Sequence, residues 1–163
     1  MPLVEPEEFR AALSRHPAGV VVVTAVTGEG RAALTVTSFT SASISPPLIS
    51  YYVNQRSLSC RTLISAGWFA VNFLDRAQEK VATICARSGV DRFSQPEIWA
   101  QGDRGVPLLK DAPVHLVCRR RDVVEIGDHF LVVGAVQETS ATEQNRPGRP
   151  LLYCDRSYAG VHV

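Results

Sequence analysis

The densest group of polar side chains in this 163-residue chain is Thr35-Val36-Thr37-Ser38-Phe39-Thr40-Ser41-Ala42-Ser43, six hydroxyls in nine residues. It lies between two apolar runs. Hydroxyls and backbone N–H groups at that density can hold an anionic or carbonyl-rich ligand without adding charge. A solvated edge or turn has the same composition. A second group is Asn54-Gln55-Arg56-Ser57, where a strand is predicted to end and a helix to open. Arg56, the Ser57 hydroxyl and free helix N–H groups would make a phosphate seat; an ordinary cap uses the same residues. His129, directly after Gly127-Asp128, is read more simply as a structural hairpin histidine, and Arg119-Arg120-Arg121 as a solvated strand face.

Several chemistries find no support. There is no G-x-S-x-G nucleophile elbow and no G-x-G-x-x-G after the first apolar run, which argues against triad hydrolysis and a Rossmann fold. Cys60, Cys85, Cys118 and Cys154 are 25, 33 and 36 residues apart, spacings that fit neither a zinc knuckle nor a C-x-x-C redox pair. They read as reduced, mostly buried thiols, and no metal site is expected. Lys plus Arg total 17 against 16 Asp plus Glu, without the basic surplus that phosphate-rich nucleic acid demands. MPLVEPEEF has three glutamates and no basic start, so no secretory leader is predicted and the expected location is the cytoplasm. The longest apolar stretches, Gly19–Val23 and Phe130–Val136, fall far short of the roughly 18 residues a membrane helix needs.

The elements that must position these groups are mostly strands. At 163 residues and 45% hydrophobic content, one domain over residues 1–163 can bury about 68–70% of its unfolded surface. Pro6-Glu7-Glu8 opens a short helix with Phe9 and Leu13 on its apolar stripe, stopped by Pro17. Gly19–Val26 is a β-branched strand, turned at Thr27–Gly30 into a partner over Arg31–Thr37. Pro46-Pro47 breaks the chain before a strand at Leu48–Val53, and Ser57 is expected to cap a helix to Ser65. Trp68–Leu74 reads as a strand and Ala77–Ala86 as a helix. Ser88–Gly105 reads as a loop anchored by Phe93 and Trp99. Val114–Ile126 and His129–Thr139 form a long hairpin turned at Gly127-Asp128. Glu138–Arg149 follows as a polar loop, then a last strand at Leu151–Cys154. Short hairpin-connected strands with few helices predict a mostly β, antiparallel barrel.

Taken in order, these segments resemble the flavin reductase family, whose fold is an FMN-binding split β-barrel of Greek-key type. The resemblance rests on Gly19-Val20-Val21-Val22-Val23-Thr24, Thr35–Ser41, Ser45-Pro46-Pro47-Leu48, Asn54-Gln55-Arg56-Ser57, Val71-Asn72, Asp91-Arg92-Phe93 and Gly127-Asp128-His129 leading to Val133-Gly134-Ala135-Val136. It spans about Phe9 to Tyr158. Departures are Ala33 where glycine is usual, Cys85 where phenylalanine is, and Val117 where glutamate is.

The resemblance implies roles by position. Thr35, Val36, Thr37, Ser38 and Ser41 would hold the flavin ring and ribityl chain, and Asn54 and Ser57 its phosphate, helped by Arg87 and Arg92. Phe93 corresponds to the aromatic of that loop, Tyr158 to the aromatic that closes the pocket, and His129 to the catalytic-site histidine beside the nicotinamide. It implies hydride transfer from NADH, or alternatively NADPH, to FAD or FMN, and diffusion of reduced flavin to a separate monooxygenase. It implies a homodimer too. A flavin-binding electron carrier without enzymatic activity, and a protein similar to pyridoxamine-phosphate oxidase, are the alternatives on the same barrel.

Overall fold

Two long strands, β9 (Val114–Ile126) and β10 (His129–Ala141), form an antiparallel hairpin with Ile126 opposite His129. Of the two turn residues, Gly127 alone has a positive φ, 59°. That is the pattern of a two-residue type II′ turn, in which glycine takes the first central position. The structure, a computed structural model, describes residues 3–141 and 148–161.

The remaining strands flank this hairpin. On one side lie β6 (Trp68–Phe73), β2 (Val21–Thr27) and β3 (Gly30–Val36); on the other lie β5 (Leu48–Asn54) and β4 (Thr40–Ser43). The seven-stranded order is β3-β2-β6-β9-β10-β5-β4, with antiparallel pairing throughout. Ala32 and Val36 of β3 share one buried cluster with Ile49, Tyr51 and Val53 of β5, so the sheet curls around its inner face. Smaller sheets are made by β1 (Ala18–Gly19), β11 (Leu151–Cys154) and β12 (Ser157–Gly160), and by β7 (Trp99–Gln101) with β8 (Pro107–Leu109). The chain is therefore mostly β and antiparallel.

β2 explains its own unbroken apolar sequence. Val21, Val23 and Ala25 face the inner core, while Val22 faces a second core beneath helix α3 (Glu79–Ala86), where it meets Ala82 and Cys85. A strand buried on both faces needs no polar alternation. Buried Asn72 spans the gap between β2 and β8: its Nδ2 donates to the Val22 carbonyl at 2.9 Å, and its Oδ1 accepts from Leu109 N–H at 2.8 Å. Thus Val71-Asn72 has a structural use, satisfying polar groups that burial would otherwise leave unpaired. Gly134 likewise has a packing reason, since a Cβ there would sit 2.3 Å from Phe69 Cζ.

Several boundaries differ from the sequence reading. Helix α2 runs Cys60–Ser65, not from Ser57; Ser57 instead sits in a turn, its Oγ accepting from Ser59 N–H at 3.3 Å. The Ser88–Gly105 stretch includes β7, because Trp99 is 8% exposed and pulls its segment against the second core. β10 runs on to Ala141, absorbing the start of the expected polar loop; residues 142–147 of that loop lie outside the described residues. Helix α1 (Pro6–Leu13) forms as read, but its stripe finds no core: Phe9 and Leu13 are 57% and 53% exposed. Among the described residues no helix is long and apolar enough to cross a membrane.

Candidate functional site

The hydroxyl run is divided by strand alternation. Val36 is buried in the inner core. Thr35 points the other way and donates its hydroxyl to the Ala82 carbonyl of α3 at 2.6 Å. Thr37 and Ser41 are exposed. Ser38 stands at the sheet edge where β4 no longer covers β5, and its Oγ accepts from Tyr52 N–H at 2.9 Å. A side chain there replaces the missing strand partner.

A first polar group surrounds Arg92. Its Nη1 donates to the Ala33 carbonyl and to Ser59 Oγ, and its Nη2 donates to the Arg87 carbonyl at 2.9 Å. Burial draws the guanidinium pKa down from its ordinary value, with Cys85 opposing. Ser59, Ala33, Arg31, Arg92 and Phe93 line a cleft of about 190 Å³ together with Asp91, whose carboxylate is occupied by the Phe93 N–H at 2.9 Å. Phe93 packs on Trp99 with ring centroids 4.9 Å apart, and the Arg31 guanidinium lies 4.4 Å over the Phe93 ring. A phosphate group requires a cation with hydroxyl or N–H donors around a small cavity, and the residues of this cleft fit it.

A second group is at the β9–β10 turn. Asn54 is the register partner of His129. His129 Nδ1 lies 2.6 Å from Asp128 Oδ1, and that hydrogen bond is the main reason the Asp128 carboxyl is held below its usual range. The Asp128 carbonyl accepts from Gln55 N–H at 3.0 Å. Asn54 Oδ1 accepts from Arg56 N–H at 2.8 Å; Arg56 also adds a favourable charge near Asp128.

The two groups are ends of one segment. Residues 54–59 start beside His129 and finish under Arg92, with Ser57 between them. Tyr158 belongs with Phe93 rather than His129: both pack on the second core. Its ring meets Tyr153 edge-on at 5.3 Å, and burial raises its hydroxyl pKa against the opposing bond to Thr83. Arg87 is exposed, and its carbonyl rather than its side chain meets Arg92. Gln55, Ser59, Arg31 and Asp128 were absent from the sequence-derived site. Gln55 and Asp128 stood inside quoted motifs; Ser59 and Arg31 carried no local signal.

A family model described as a flavin reductase like domain matches residues 13–162. The chain belongs to this family. This flavin reductase-family chain is similar to the NADH:FMN oxidoreductase of Rhodococcus qingshengii, with 38% identity over 152 residues, 93% of this chain and 79% of the relative. It is similar in structure to the NADH:FAD oxidoreductase SgcE6 of Streptomyces globisporus C-1027, solved in complex with NAD and FAD fragments. That match has a TM-score of 0.85 at 32% identity, over 98% of this chain and 96% of the other. A third similar structure is a nitrilotriacetate monooxygenase component B homologue from Mycobacterium thermoresistibile, with TM-score 0.88 and 30% identity over 96% and 86% of the two chains.

Proposed function

We propose that the chain is an NADH-dependent flavin reductase that reduces FMN or FAD and releases reduced flavin to a separate flavin-dependent monooxygenase. The observation that carries this reading is the 54–59 segment, which puts a phosphate-sized cationic cleft at one end and His129 at the other. The similar proteins named above support the substrates: one is an NADH:FMN oxidoreductase, one an NADH:FAD oxidoreductase, one a monooxygenase component.

When bound, flavin supplies the redox chemistry by taking hydride from reduced nicotinamide. The chain's part is placement. Arg92, Ser59 and Ser57 would hold the phosphate, with Asn54 shaping the segment and Arg87 supplying the carbonyl that steadies Arg92. The exposed edge at Thr37, Ser38 and Ser41 would offer hydroxyls and backbone N–H groups to the ring and ribityl chain, with Thr35 tying β3 to α3 and Val36 anchoring it in the inner core. Phe93 and Tyr158 bound the site from the second core. His129 positions the nicotinamide. Holding two rings at attack distance can supply roughly 7–11 kcal/mol of the barrier, so no strong acid or nucleophile is needed.

The curl of the seven-stranded sheet around one core supports the split-barrel form of this fold. A homodimer in the cytoplasm completes the reading. The exposed Phe9 and Leu13 of α1, and Tyr52, Val124 and Ile126 on the outer sheet face, would supply apolar surface for the second copy. The test is steady-state oxidation of NADH and NADPH, each with FMN, FAD and riboflavin. Saturable dependence on added flavin, with NADH preferred, is the expected result. Flavin that stays bound through turnover, with a rate indifferent to added flavin, would replace the reductase with an electron carrier.

A further inference from the structure

We propose that Asp128 and Gln55 are positioning residues that fix the His129 imidazole with its Nδ1–H on the Asp128 carboxylate, presenting Nε2 as an acceptor for the carboxamide N–H of reduced nicotinamide. The inference rests on the flavin reductase reading above and concerns how the same site recognises its hydride donor.

The geometry leaves little choice of tautomer. An ionised carboxylate only accepts hydrogen bonds, so in the 2.6 Å contact between His129 Nδ1 and Asp128 Oδ1 the ring nitrogen carries the hydrogen. A neutral imidazole has one N–H, and Nε2 is then left with a lone pair. Asp128 is ionised at neutral pH as any solvent-exposed aspartate is, and the hydrogen bond from His129 favours that form further.

Asp128 is itself held from the neighbouring strand. Gln55 donates its backbone N–H to the Asp128 carbonyl at 3.0 Å. Its side-chain Nε2 donates to the Gly127 carbonyl at 3.4 Å and to Glu125 Oε1 at 3.0 Å. One residue therefore grips both turn positions from just past the end of β5, in the same segment that reaches the phosphate cleft. The Asp128 side chain is 84% exposed, and an ion pair so open to water adds little to folding. Its removal can be read in function without loss of the fold.

Reduced nicotinamide offers one N–H-bearing group near its reacting carbon, the carboxamide. An acceptor at Nε2 selects for it, and the reduced 3-acetylpyridine analogue of NADH, which keeps the riboses but lacks that N–H, is the probe that separates amide recognition from ribose contact.

Two measurements test the proposal on the full-length protein. The first is the ring-nitrogen NMR spectrum of 15N-histidine-labelled protein above the imidazole titration, with the His129 signal assigned by its loss in His129→Gln. The Nδ1–H tautomer is expected in the wild type and in Asp128→Asn, whose carbonyl still accepts, and the Nε2–H tautomer in Asp128→Ala. An unchanged tautomer in Asp128→Ala overturns the positioning role. The second is the ratio of kcat/KM for NADH to that for the acetyl analogue. A net hydrogen bond corresponds to roughly 3- to 10-fold. The ratio should fall by about that factor in Asp128→Ala and His129→Ala, fall by less in Gln55→Ala, and recover in Asp128→Asn. A ratio that is the same in all variants overturns carboxamide recognition. A protein that oxidises no NADH with any flavin overturns the reductase reading, and the tautomer spectrum still decides the Asp128–His129 pair.

Discussion

Replacing Arg92 with methionine tests the phosphate cleft most directly. The substitution keeps the aliphatic stem and removes a guanidinium that donates to the Ala33 carbonyl, Ser59 Oγ and the Arg87 carbonyl. A hydrogen bond to a charged partner contributes roughly 1.5–3 kcal/mol, so losing the one to a flavin phosphate should weaken FMN by about 10- to 150-fold. Riboflavin has the same ring and ribityl chain but no phosphate, and its KM should move by no more than about 3-fold, the lower end of what one neutral hydrogen bond contributes. Ser59→Ala should cost FMN less, about 5-fold, because a hydroxyl brings no charge. The assay is flavin-dependent NADH oxidation, paired with direct titration by flavin fluorescence. A urea titration of each variant reports the stability lost when the Arg92 latch between residues 87–92 and β3 is cut. Equal weakening of FMN and riboflavin would refute the reasoning, since it would mean that Arg92 only holds the loop in place. So would an unaltered FMN constant in a folded variant.

Gly134→Ala should destabilise the fold by about 1–3 kcal/mol in urea, because its Cβ would meet Phe69 Cζ at 2.3 Å and Cε1 at 2.8 Å against a fully buried ring; Phe69→Leu in the same chain should recover part of the loss. Burial pushes the Cys85 thiol up to about 11 and Cys118 up to about 12 from an ordinary 9.0, so at pH 8 neither should react quickly with a disulfide reagent in the native protein. Half-exposed Cys154 should react first, and all four thiols only after unfolding. Because the folded thiols keep their protons above the ordinary 9.0, their contribution to stability is complete below about pH 9 and is lost as pH rises through about 11 and 12. Alkaline denaturation measures it.

Much of this architecture was legible because it is written locally. The Gly127-Asp128 turn, the doubly buried Val21–Val23 run and the α3 spacing each depend on residues a few positions apart. The flavin reductase resemblance drew on the same local motifs, and the family match over residues 13–162 bears it out. What composition could not show was direction and partner. Six hydroxyls in nine residues look like one surface, yet the strand period of two sends Thr35 to α3 and Val36 into the inner core on the other face. Ser57 looks like a helix cap, but the turn through Asn54 and Arg56 delays α2 to Cys60. Gln55 acquires its contacts only because β5 pairs with β10 far along the chain. The apolar stripe of α1 was correctly periodic and still found no core, since periodicity names a face and not what covers it.

The order of strands also bears on how the protein is made. β2, β3 and β6 can join one another early, and so can β4 and β5, but among the described residues the backbone pairing between the two ribbons runs through β9 and β10, while β3 and β5 meet by side-chain packing. At a synthesis rate of roughly 5–20 residues per second, the β4–β5 ribbon waits on the order of ten seconds after its own completion before residues 114–141 exist. Throughout that interval Ile49, Tyr51 and Val53 have no opposing sheet on one edge. A chain that stops before β9 leaves the edges of β6 and β5 unpaired, and open strand edges invite aggregation. The late hairpin acts as the keystone of the nascent chain, and shielding of the early ribbons at the ribosome should raise its yield.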